Sequence, residues 1–155
     1  MTAASNYLEI KVLDHILSET VRSYTPSSAL HIALFSSSSG AAAATAALES
    51  GTSSTGETAN WGYYEISNGS YARQPVTFDG AASGSCTTSG TVTFPQATAD
   101  YNSAGSQGNI ITHIAVMDAA TGNNVLFYGL LSTPKTVTNG DTFQINAGSL
   151  TISLA

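Results

Sequence analysis

Histidine is the side chain whose ordinary titration falls closest to neutral pH, and the chain has three, His15, His31 and His113. None stands at the HExxH spacing or at another spacing that sets metal ligands on one helical face. If the segments around 31 and 113 pair as strands, His31 and His113 can meet, with Asp118 as an orienting carboxylate. The alternative is that each is a hydrogen-bonded structural histidine. Serine is abundant, yet no G-x-S-x-G elbow occurs, and no glycine-rich loop opens a helix in the phosphate-binding pattern. Glu49, Glu57, Glu65, Asp79 and Asp100 stand mostly in loop-like sequence, so a glycosidase pair or a loop calcium site can be drawn from them only arbitrarily. Cys86 is the single cysteine, which excludes an internal disulfide and a cysteine-based metal site. These residues point to no enzyme, no cofactor and no bound metal.

Trp61, Tyr63 and Tyr64 are more suggestive. Rings grouped beside a long polar loop can form a sugar-binding platform or a protein interface, where Tyr and Trp are enriched. Core packing is the competing reading.

The elements that must position such residues follow from pattern. Residues 1–5 read as a short flexible arm. Asn6 followed by Glu9 makes a capping pair for a helix reaching Val21 or Arg22. Leu8, Val12, Leu13, Ile16, Leu17 and Val21 form an apolar stripe at helical spacing, expected to pack on the core. Pro26 then ends the helix region. Residues 29–35 (ALHIALF) read as a strand, and residues 36–60 as a low-complexity excursion in which GAAAATAALE can form a short helix.

Short β-segments follow at 61–66, 71–78 and 91–94, with Pro75 restricting its strand to an edge. Residues 110–131 (IITHIAVMDAATGNNVLFYGLL) read as a hairpin with a longer loop. Both of its faces are apolar, so it needs cover on both sides, from the helix or from a second subunit. Residues 135–154 read as further strands around an Asn139-Gly140 tight turn, the last alternating Leu150, Ile152 and Leu154 with Ser149, Thr151 and Ser153. The expected fold is therefore mostly β: an antiparallel β-sandwich, jelly-roll-like, with one N-terminal amphipathic helix packed on it. An arm at 1–5 precedes a single domain at 6–155.

Composition narrows the function. Of 155 residues only 9% are charged, the net charge is −6, and Lys11, Arg22, Arg73 and Lys135 are the only basic residues. No basic patch can gather phosphates, so nucleic acid and anionic membrane surfaces are poor partners. No apolar run approaches the roughly 20 residues that span a bilayer.

Three stretches, SNYLEIKVLDHIL, YARQPVTF, and ITHIAVMDAATGNNVLFYGLL with DTFQINAGSLTISL, resemble a family of small virion structural proteins of tailed bacteriophages, including phages of cyanobacteria. Its members often carry a generic tail-fibre label. The resemblance implies a virion structural role and brings no catalytic motif. A compact, low-charge domain without the repeats that lengthen fibres suits a capsid cement (decoration) protein, expected as a homotrimer bridging major capsid protein subunits. A tail or fibre-attached module and a carbohydrate-binding module are the alternatives. The residues expected at partner contacts are Thr2, Ala3, Ala4 and Ser5 of the arm, Ala42, Ala43 and Leu48 of the excursion, and Trp61, Tyr63, Tyr64 and Tyr101.

Overall fold

A computed structural model describes residues 3–18, 29–37, 41–50, 61–122 and 124–153. The strands are β1 (Ala3–Ala4), β2 (Leu30–Ser36), β3 (Gln74–Val76), β4 (Ser85–Thr87), β5 (Val92–Thr93), β6 (Ile110–Met117), β7 (Val125–Thr136), β8 (Gln144–Ile145) and β9 (Thr151–Ser153). The helices are α1 (Asn6–Leu17) and α2 (Ala41–Ser50), and Trp61–Tyr63 forms a 3-10 turn. Thr2, residues 19–28 with the expected end of the first helix, residues 51–60 with Glu57, and Leu154 lie outside the described residues.

Hydrophobic runs that alternate poorly need cover on both faces, and the central sheet has it. Its antiparallel order is β1-β7-β6-β2-β3. On one face Ile32, Leu34, Ile114 and Val116 pack with Val92, Ile145 and Ile152 from two ribbons, β5-β8 and β4-β9. On the other face Ala33, Phe35, Ala115, Met117, Val125 and Tyr128 meet Ala44, Ala47 and Leu48 of α2. The architecture is thus mostly β and sandwich-like with an N-terminal helix, as the sequence implies.

The doubly apolar hairpin of β6 and β7 is covered from within the chain. Its second cover is α2, which corrects the expectation that α1 or another subunit supplies it. Alanine-rich α2 has little side-chain bulk and lies flat on the sheet, so even an indistinct apolar stripe is enough to seat it.

A bulge sets the faces of β6. Against β2, Thr112 is the extra residue between the pairs Phe35↔His113 and Ser36↔Ile111, so Ile111 joins Ile114 and Val116 in one cluster instead of opposing them. At the sheet edge, β3 pairs with β2 and sets Pro75 opposite His31, the placement expected of a strand residue without an N–H. The 61–66 segment is a helical turn followed by isolated bridges, not a strand.

Asn139-Gly140 does make a turn, with the Asp141 N–H donating to the Thr138 carbonyl at 2.9 Å. Only Gly140 has positive φ, +91°, whereas a two-residue type I′ hairpin needs it at both central residues. The flanking segments accordingly pair elsewhere, β7 with β6 and β8 with β5. In the last strand Leu150 and Ile152 are buried while Ser149, Thr151 and Ser153 are exposed, as the alternation requires.

Candidate interaction surface

The three histidines do not converge. His113 is 0% exposed on β6, with Nε2 2.9 Å from Thr45 Oγ1 of α2 and Nδ1 2.9 Å from Thr112 Oγ1. Burial lowers its pKa to about 4, so the ring is neutral near pH 7 and stitches α2 to the sheet. His31 pairs with Met117, whereas His113 pairs with Phe35. Four strand positions separate them, roughly 13 Å along the sheet. Asp118 accepts from Asn124 N and Nδ2, both at 2.8 Å, and shapes the hairpin loop instead of orienting a histidine. His15 is exposed on α1.

The carboxylates are likewise dispersed. Asp79 accepts from Thr87 Oγ1 at 3.4 Å and Asp100 from the Asn139 N–H at 3.0 Å. Glu65 is the exception, because it belongs to a polar clamp. Arg73 donates to it through Nε at 2.6 Å and Nη2 at 2.8 Å. Its Nη1 donates to the carbonyls of Ala119 and Gly122 at 3.0 and 2.8 Å, and the guanidinium lies 5.0 Å from the Trp61 ring centroid. Tyr71 Oη donates to Glu65 Oε1 at 3.2 Å and accepts the Leu34 N–H at 3.1 Å. Burial and then the Glu65 charge hold the Tyr71 phenol well above its ordinary range, so it remains a donor. This clamp ties β3, the 3-10 turn and the hairpin loop together. It escapes a reading by motif, because its partners are far apart in the chain.

The residues expected at partner contacts divide by burial. Leu48, Trp61, Tyr64 and Tyr101 are buried in the core. Trp61 packs beneath Arg73, and Tyr101 Oη donates to the Pro95 carbonyl at 2.8 Å. Tyr64 meets Tyr63 edge-on at 5.1 Å. Tyr63 is half-buried and accepts from Gln107 Nε2 at 3.1 Å. Gly105 lies so close to that ring that a Cβ there would come within 2.4 Å of it. The rings therefore hold a loop in place and form no open platform. Ala42 is exposed and Ala43 half-buried on α2.

The arm is structured from Ala3 onward. Ala3 and Ala4 pair with Tyr128 and Phe127 on the outer edge of β7. Ser5 is the N-cap, its Oγ accepting the Leu8 N–H at 3.3 Å, while its own N–H donates to the Leu126 carbonyl at 2.9 Å. The cap is thus Ser5 and not Asn6, and Glu9 falls one position past the capping-box site. Ser18, extended at ψ 135°, closes α1 at Leu17, short of the expected end.

Fixed in this way, α1 turns its stripe outward. Leu8 is its only buried residue, whereas Ile10, Leu13, Ile16 and Leu17 are 57%, 55%, 61% and 70% exposed. Core packing of this stripe is overturned. Periodicity reports that a helix has an apolar face, and the cap at Ser5 decides which way that face points. Concavities among the described residues include an apolar pocket of ≈ 310 Å³ bounded by Leu30, Phe78, Cys86, Leu126, Phe127 and Ile152, and an open groove of ≈ 590 Å³ between the end of β7 and residues 141–150. Among the described residues no three His, Cys, Asp or Glu side chains are grouped to hold a metal ion.

No curated protein matches the chain. A family described as "Podophage GP4 fiber I protein gp80" matches residues 3–153, which takes in the sheet, both ribbons and both helices. The chain therefore belongs to the podophage GP4 fiber I protein gp80 family, a family of phage structural fibre proteins.

Proposed function

We propose that this chain is a fibre-attached structural subunit of the phage particle, holding neighbouring proteins in place and acting on no substrate. The observation that carries this reading is the extent of the family match, 3–153, because it covers the whole described fold and not a detachable part of it. An outward apolar helix and a surface with little charge suit a protein that works against neighbours.

A second reading is a capsid cement protein, a homotrimer bridging major capsid protein subunits on the head. Its support is architectural: the described residues carry none of the repeats or coiled coils that give fibres length. Ala3, Ala42 and Ala43 remain available to such contacts. The carbohydrate-binding alternative rested on Trp61, Tyr63 and Tyr64, and loses its platform with Trp61 and Tyr64 in the core.

Quantifying the chain in purified virions separates the readings. A fibre-attached subunit is present in tens of copies or fewer. A cement protein is present in hundreds, and its removal makes heads leak DNA on heating. Absence from intact virions overturns both.

A further inference from the structure

A soluble surface rarely presents a contiguous apolar patch larger than a few hundred Å² without a use for it. On α1, Val12, Ile16, Leu13, Leu17 and Ile10 sweep an arc of roughly 160° at 3.6 residues per turn. Leu8, which seats the helix, lies outside that arc. With Val12 36% exposed and the other four exposures given above, the five residues offer roughly 500 Å² of apolar surface, the upper range for a monomer. The helix is held from behind by its cap on β7, through Ser5 to Leu126, so the stripe is presented on a fixed support and needs no unfolding to be reached.

We infer that the α1 stripe docks on the α1 stripe of a second copy of this chain, in a two-fold antiparallel helix pair centred on Leu13. Two such faces bury roughly 1,000 Å² together, at the lower limit of a specific interface. The pairing is accordingly weak for isolated subunits and gains strength where copies are already held side by side. Self-complementarity follows from the spacing: with Leu13 on the axis, Ile10 meets Ile16 of the other helix, as an isologous contact requires.

Glu9, the one charge inside the arc, fixes the direction. A parallel pair sets the two Glu9 carboxylates against each other, whereas the antiparallel pair moves them to opposite ends, roughly 12 Å apart along the axis at 1.5 Å rise per residue and beyond a physiological screening length. A lipid surface is the poorer occupant, because the chain carries a net charge of −6 and Lys11 is the helix's only lysine or arginine. The pairing does not depend on whether the particle carries the protein at a fibre or on the head.

The test is sedimentation equilibrium of the full chain across the micromolar to millimolar range. The expected result is a reversible monomer–dimer equilibrium that Leu13→Glu weakens by roughly 30-fold or more, with circular dichroism and thermal midpoint unchanged because Leu13 is exposed in the monomer. In a Cys86→Ala background, Leu13→Cys forms a disulfide-linked dimer on oxidation and Glu9→Cys does not. A wild-type chain that stays monomeric throughout overturns the inference, as does a dimer indifferent to Leu13→Glu. Self-linking of Glu9→Cys, or a trimer, overturns the two-fold antiparallel geometry. Co-sedimentation with phosphatidylcholine vesicles that Leu13→Glu abolishes would assign the stripe to lipid instead.

Discussion

At the residue scale, His113 and the Arg73–Glu65 pair tie elements of the fold together. His113 binds Thr45 and Thr112 in its neutral form, and its pKa of about 4 lies below the ordinary value near 6.5 of an unfolded chain. The unfolded state therefore takes up a proton as pH falls below about 6.5, which the native state refuses until about 4. Stability is full above that window and declines through it, by roughly 2–3 kcal/mol. Urea titrations of wild type and His113→Gln at pH 7 and pH 4.5 should show the larger acid loss in wild type; equal losses would remove His113 as the cause. The pair Arg73–Glu65 was not legible in sequence. Its partners also include the carbonyls of Ala119 and Gly122, far along the chain, and no local pattern announces them. Arg73→Ala leaves Glu65 without its cation and should cost about 2–4 kcal/mol by chemical denaturation. In a cycle with Glu65→Ala, the double variant should lose less than the two single losses added together.

At the element scale, the strongest patterns survived folding and the ambiguous ones did not. The hairpin of β6 and β7, the edge role of the Pro75 strand and the alternation at Leu150 and Ile152 were all readable, because each follows from a two-residue period or a missing N–H. Which element covered the second face of the hairpin was not. α1 has the clearer apolar stripe, yet the flatter, alanine-rich α2 occupies the site, since Ser5 anchors α1 with its stripe turned away. The bulge at Thr112 was also invisible, because two ways of facing Ile111 are equally apolar. This inversion has a measurable consequence. Leu48→Ala should destabilise the fold by about 2–4 kcal/mol through the cavity it leaves. Ile16→Ser, on the helix with the stronger stripe, should change stability by no more than about 0.5 kcal/mol. Thermal denaturation of the two variants tests the assignment, and comparable losses would contradict it.

At the scale of the whole molecule, the protein is a sheet covered on both faces by its own chain, with one apolar helix left outward. Among the described residues no three His, Cys, Asp or Glu side chains gather in that arrangement to hold a metal ion. Its low charge and its membership of the fibre I family agree with a life inside an assembly. The sequence resemblance to small virion proteins anticipated this, whereas neither composition nor fold chooses between tail and head. The most direct test of the fibre-attached reading is a cryo-electron map of the intact virion, resolved well enough to recognise the five-stranded sheet with α2 against it. The expected density lies at the fibre attachment, in low copy number, with α1 against a neighbouring subunit. Density repeated over the capsid surface would contradict the fibre assignment, and a particle without the domain would contradict the structural role itself.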